Sequence, residues 1–73
     1  MYKRMIRGIE YREKYQSGRI FPYMISAKIG KEIEEERAIK WTKEVFLNLK
    51  NCKIYRRKKT KDSYELLFIQ ANN

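Results

Sequence analysis

The residues best suited to a chemical role are five cations that fall within six positions of the chain: Arg56, Arg57, Lys58, Lys59 and Lys61. Guanidinium and ammonium groups on a β-ribbon can follow a phosphate backbone or enter a groove of a nucleic acid. The alternative is that these charges keep an edge strand and its turn from aggregating, but five like charges exceed what that protection needs. The spacing therefore predicts a phosphate-binding hairpin tip.

A second group of cations lies in the N-terminal region, at Lys3, Arg4, Arg7, Arg12, Lys14 and Arg19. Tyr2, Tyr11 and Tyr15 alternate with them. Basic and aromatic residues on one open sheet face would bind single-stranded nucleic acid by base stacking and phosphate contact. The competing interpretation is that the tyrosines pack in the core or across strands. We expect Arg4, Arg7, Arg12 and Arg19 to assist the hairpin in binding nucleic acid.

The remaining chemistry-bearing residues predict neither catalysis nor a metal site. The chain has no histidine, which is the commonest general base and metal ligand, and it has a single cysteine. Its three glycines are too scattered to form a phosphate-binding loop. Most of the nine acidic residues are expected on exposed strand or helix positions. We therefore expect a protein that is not an enzyme and that uses no cofactor and no metal.

Length and charge set the class of protein. The 73 residues suit one small domain, spanning 1–73, and carry a formal net charge of +9. Such an excess of positive charge is usually tied to a polyanionic partner. Cys52 has no second cysteine for an internal disulfide, and Lys3, Arg4 and Arg7 interrupt the apolar residues near the N-terminus. We expect a cytoplasmic protein that does not bind membranes.

The elements that must position these residues begin with an N-terminal hairpin over residues 2–29. Phe21 to Ile29 alternate in apolar character, and Met5, Ile9, Tyr11 and Tyr15 share one parity upstream. A turn near Gly18, with this glycine in the left-handed conformation, keeps both apolar sets on one face. The register predicted in this way pairs Tyr15 with Phe21, Tyr11 with Ile25, and Ile9 with Ala27.

A helix over residues 31–51 and a second hairpin complete the prediction. Apolar residues recur at helical spacing on one stripe, at Ala38, Trp41, Thr42, Val45, Leu49 and Cys52. The second hairpin runs from Lys53 to Lys59, turns over 60–63 and returns from Tyr64 to Ala71 as a central strand. The order β-β-α-β-β predicts an α+β two-layer sandwich, in which one amphipathic helix covers one face of an antiparallel sheet of about four strands.

The first 50 or so residues resemble the arm-site DNA-binding domains of phage-type integrases, through strands rich in Arg and Tyr that precede a helix. Those domains place three strands before the helix and normally precede a catalytic domain, whereas this chain continues into a second hairpin. The resemblance implies DNA binding by analogy of element order.

Two functions remain open at this point. The first is a non-catalytic nucleic-acid-binding protein, with DNA favoured over RNA. The second is a small accessory or inhibitory module, of the kind phages and other mobile elements carry, that docks on an acidic host protein. An exposed apolar patch on the open sheet face would favour the second function. A homodimer formed through an edge strand or the open face fits either one.

Overall fold

The computed structural model describes residues 2–70, except for the side chain of Lys58. The elements are β1 (Tyr2–Ile6), β2 (Ile9–Lys14), β3 (Met24–Gly30), α1 (Glu35–Val45), a 3-10 turn (Leu47–Leu49), β4 (Lys53–Lys59) and β5 (Ser63–Ile69). The strands form one antiparallel sheet in the order β1-β2-β3-β5-β4, and α1 packs on one face. The predicted α+β architecture is confirmed, with five strands where about four were expected.

The additional strand arises from a tight turn at Arg7 and Gly8. Their φ angles are 53° and 81°, and positive φ at both central residues is the requirement of a two-residue type I′ hairpin. The turn pairs Ile6 with Ile9 and separates β1 from β2. The order is therefore β-β-β-α-β-β, with two strands where the predicted order β-β-α-β-β had a single first strand.

The register between β2 and β3 differs from the predicted one by two residues. Tyr11 pairs with Ala27 and Glu13 with Ile25, because β3 begins at Met24 and Phe21 remains in the connecting loop. A shift of two residues leaves the paired side chains of β2 and β3 on their predicted faces. Tyr15 and Phe21, which were predicted to pair, are exposed outside the strands, and Met5 lies on the face opposite the buried set. Within the loop, Gly18 has a φ of 78°, which confirms its predicted left-handed conformation.

The helix is shorter than predicted at both ends. Residues 31–33 form a turn in which the Ile33 N–H donates to the Gly30 carbonyl, 3.1 Å away. At the other end, Phe46 leaves the helical conformation, with φ −111° and ψ 83°. Its ring packs edge-on against Tyr11, with 5.2 Å between ring centroids. The stripe of apolar residues continues through the 3-10 turn, where Leu49 is buried.

The core lies between α1 and one face of the sheet. It is formed by the residues Ile9, Tyr11, Ile25, Ala27, Ile29, Ala38, Phe46, Leu49, Leu66 and Phe68. Trp41, which lies on the predicted apolar stripe of the helix, is only partly buried at the edge of the core. β5 lies between β3 and β4, as predicted for a central strand. It ends at Ile69, and Ala71, the predicted last strand residue, lies outside the described residues.

Candidate nucleic-acid interface

The sheet face opposite α1, here called the open face, is built by residues that alternate with the buried ones. The strand registers align their side chains in three rows across the sheet. These rows are Lys3-Arg12-Ser26-Leu67-Tyr55, Met5-Glu10-Lys28-Glu65-Arg57 and Lys14-Met24-Ile69-Lys53. No helix among residues 2–70 covers this face, so its side chains are available to a partner.

Charge on the open face is strongly positive and unevenly placed. The three rows hold six Lys or Arg residues against two Glu, a net charge of +4. Cations flank the face along two borders, here called the cationic borders: Lys3, Arg12 and Lys14 on β1 and β2, and Lys53 and Arg57 on β4. Between them, β3 and β5 carry Lys28 and Glu65 in one row and, in the other two rows, an uncharged central stripe formed by Met24, Ser26, Leu67 and Ile69. This arrangement offers phosphate-binding groups on either side of a neutral floor.

The open face also has concave relief. Two shallow depressions, of about 250 and 240 Å³, share the side chains of Arg12, Ser26 and Glu65. Arg12 Nε lies 3.3 Å from Glu10, and Arg57 Nε lies 3.5 Å from Glu65. Such exposed ion pairs contribute only about 0–1 kcal/mol, so a phosphate can replace the carboxylate at little cost.

Three predicted binding arginines lie on the opposite side of the sheet, where glutamates neutralise them. Arg4 Nε lies 2.8 Å from Glu13, and Arg7 Nη1 lies 3.1 Å from Glu44. The guanidinium groups of Arg4 and Arg7 also stack over the rings of Phe46 and Trp41. Arg56 Nη2 lies 2.6 Å from Glu35 on α1. These ion pairs neutralise the three arginines, and they link β1 to β2 and both Arg7 and β4 to α1.

The predicted hairpin cluster is divided by strand geometry. Neighbouring residues of a strand point to opposite faces, so Arg56 faces α1 and Arg57 faces the open side. A bulge between Arg57 and Lys59 brings Lys59 beside Glu34 and Glu35 on the helix side.

The other predicted residues are scattered. Lys61 is exposed in the turn between β4 and β5, and Arg19 is exposed in the loop before β3. The side chain of Lys58 lies outside the described residues. Of the nine predicted residues, the structure brings Arg12 and Arg57 together on the open face.

The predicted set missed several open-face residues, notably Lys28, Lys53 and the central stripe. Alternation along each strand could have identified them, because each of these residues is next to a residue of the buried face. The N-terminal tyrosines do not form the predicted stacking surface. Tyr2 and Tyr11 point to the helix side of the sheet. Tyr11 is 1% exposed, so core packing is the correct interpretation for Tyr11, whereas Tyr2 is 58% exposed. Tyr55 is the one aromatic side chain in the three rows.

The buried carboxylate of Glu13 on β2 pairs with Arg4 on β1. Glu13 is 1% exposed, although it carries a charge. Its Oε2 lies 2.8 Å from Arg4 Nε and forms an ion pair, although the geometry does not give a hydrogen bond. Its Oε1 accepts a 2.9 Å hydrogen bond from the Tyr15 hydroxyl. This hydrogen bond raises the pKa of Tyr15, because the phenol must keep its proton to donate it.

We expect Tyr15 to titrate above the ordinary tyrosine pKa of about 10. A pKa raised on folding means that Tyr15 contributes stability below pH about 10 and loses that contribution as pH rises through its folded-state pKa. The ultraviolet absorbance of tyrosinate, compared between the wild type and Y15F, isolates this titration. In E13Q the carboxylate is absent, so the Tyr15 pKa should fall towards its ordinary value. An unchanged midpoint in E13Q would contradict the assigned hydrogen bond.

Three further findings bear on function. No helix within residues 2–70 has the length and apolar character that crossing a bilayer requires. In the same part of the chain, no three His, Cys, Asp or Glu side chains converge as metal ligands would. Comparison with protein-family models, curated proteins and solved structures finds no match to this chain. The resemblance to integrase arm-site domains therefore stays an analogy of element order.

Proposed function

We propose that this chain is a non-catalytic nucleic-acid-binding protein, acting in the cytoplasm, that contacts phosphates through the cationic borders of its open face. The observation that carries the proposal is the net charge of +4 on a sheet face that no helix within residues 2–70 covers. Arginines on the helix side are held by Glu13, Glu44 and Glu35, whereas the open face keeps a net charge of +4. Uncompensated charge concentrated on one uncovered face attracts a polyanion to that face.

The proposal differs from the initial prediction in the residues that bind. Arg12 and Arg57 keep their predicted role and are joined by Lys3, Lys14, Lys28 and Lys53. Arg4, Arg7 and Arg56 are left out of the proposed contact, because their side chains lie on the helix side of the sheet, away from the open face. Lys61 and Arg19 are exposed and can extend the contact beyond the sheet.

Fluorescence anisotropy of labelled duplex DNA against monovalent salt tests the proposal. Each neutralised phosphate contributes about −0.9 to the slope of log K against log salt, so one contact for each of the five cations on the borders predicts a slope of about −4.5. Duplexes of unrelated sequence should give similar slopes, because phosphate contacts carry no sequence information. Absence of binding at low salt, or an affinity that does not change with salt, would contradict the proposal.

As a second candidate function, we propose docking on an acidic protein. The supporting observation is an apolar corner, formed by Ile20, Phe21 and Leu47, whose side chains are 82%, 56% and 76% exposed. This corner lies on the helix side, beside a depression of about 280 Å³, whereas the apolar residues Met24, Leu67 and Ile69 of the open face, where such a patch was anticipated, are half-buried. Asn48 holds the loop in place by donating to the Pro22 carbonyl at 2.9 Å. Absence of nucleic-acid binding would make this corner the leading candidate surface.

A further inference from the structure

The central stripe of the open face is unusual for a phosphate-binding surface. Met24, Leu67 and Ile69 are half-buried and offer no hydrogen-bonding group, and Ser26 adds a single hydroxyl. A surface that only tracks phosphates needs no apolar centre. The stripe therefore points to the part of the ligand that lies between two rows of phosphates, namely the bases.

The spacing of the cationic borders favours a duplex. From β2 to β4 there are three strand-to-strand steps, which at about 4.8 Å each place the borders about 14 Å apart. The major groove of B-DNA is about 12 Å wide and admits a two-stranded β-ribbon. β3 and β5 are an antiparallel pair flanked by β2 and β4, and their open-face side chains, which would face the groove, carry the whole stripe. Each border then lies above one of the two phosphate backbones that flank the groove.

Other nucleic acids fit this face less well. The major groove of A-form RNA is deep and narrow, so side chains on a broad sheet cannot reach its bases. Single strands are held mainly by aromatic stacking, and the three rows of the open face contain one aromatic residue, Tyr55, at the β4 border. Duplex DNA is the ligand that uses both the borders and the stripe.

The chemistry of the stripe then selects the base. In the major groove, G·C pairs and adenine present polar edges, which lose their hydrogen bonds to water when an apolar side chain covers them. Thymine alone presents an apolar group, its C5-methyl. We infer that the open face binds the major groove of duplex DNA and favours A·T-rich sites by packing Met24, Leu67 and Ile69 against thymine methyl groups. This inference rests on the proposed function.

Replacing thymine by deoxyuridine tests the contact, because it removes the methyl group and keeps charge and base pairing. Wild-type protein should bind an alternating dA·dT duplex about 15-fold more tightly than the matched dA·dU duplex at equal salt. Burying one methyl group raises affinity about four-fold, so the expected ratio of about 15-fold corresponds to two buried methyl groups. The salt slopes of the two duplexes should agree, because the phosphates are the same.

The variant L67A should lose part of this discrimination, and L47A serves as the matched control. Both substitutions remove the same atoms, but Leu47 is 76% exposed in the apolar corner, away from the open face. L47A should keep the full preference for thymine. Circular dichroism verifies that both variants are folded.

Three results would overturn the inference. Equal, salt-dependent binding of both duplexes would remove thymine reading and leave the proposed function intact. Tighter binding of single-stranded DNA or of RNA would exclude the major groove of DNA as the target. Absence of binding to every nucleic acid would overturn this inference and the proposed function together.

Discussion

Replacing Lys3, Lys14 and Lys53 with glutamine is expected to weaken duplex-DNA binding about 500-fold at 0.1 M salt. The three lysines stand on the two cationic borders, one each on β1, β2 and β4. Losing three phosphate contacts should also reduce the magnitude of the salt slope by about 2.7, because each contact contributes about 0.9. Anisotropy titrations at four or more salt concentrations measure both quantities.

A matched variant separates the position of the charges from their number. Lys31, Lys40 and Lys50 are exposed and lie outside the three rows of the open face. Replacing these three with glutamine lowers the net charge equally, so it should reduce affinity only through the weak long-range field, which salt screens. If both triple variants lose affinity alike, binding depends on overall charge, and the open face has no special role.

The variant R4M is expected to lower the free energy of unfolding by about 3 kcal/mol. It leaves Glu13, 1% exposed, without its ion-pair partner. Removing one partner of a buried pair typically costs about 3–5 kcal/mol, and the 43% exposure of the Arg4 side chain places this case at the low end. Small domains have about 5–15 kcal/mol of stability in total, so the loss should be visible as a large drop in the urea midpoint.

Two comparisons show whether the buried charge is responsible. The double variant R4M/E13Q removes both charges and should recover most of the lost stability, because no uncompensated ion remains. R7M breaks the pair with Glu44, in which both side chains are about half exposed, and should cost less than R4M. Equal losses in R4M and R7M would mean that burial of Glu13 is not the source of the effect.

The fold class was predictable because it depends on periodicity, which a single sequence displays. Alternation assigned Ile9, Tyr11, Ile25 and Ala27 to one face, and that assignment survived a register error of two residues. The Arg7–Gly8 turn was missed because arginine is not a usual residue at positive φ, and nothing local distinguishes this turn from a bend. The ends of α1 depend on tertiary contacts, such as that between Phe46 and Tyr11, which sequence spacing does not reveal.

The candidate site was less predictable, for a different physical reason. Cations that are adjacent in sequence point to opposite faces of the sheet once they lie on a strand, as Arg56 and Arg57 do. Which of the two stays free depends on distant acidic residues, such as Glu35, which lies 21 positions from Arg56 along the chain. Parity could have separated the two faces. The ion pair that Arg56 makes with Glu35 depends on the fold and cannot be predicted from alternation.

The position of β5 couples assembly of the domain to its competence for binding. β5 follows every other described element in the chain, yet it is hydrogen-bonded between β3 and β4. Before β5 is inserted, nothing joins β4 to the meander formed by β1, β2 and β3. The pairing of β5 with β3 is non-local in sequence, and such pairings make folding slow. Met24 and Ser26 come from β3, whereas Leu67 and Ile69 come from β5. A partly folded chain therefore carries the charges but not the complete stripe, so it would attract DNA without discriminating between bases.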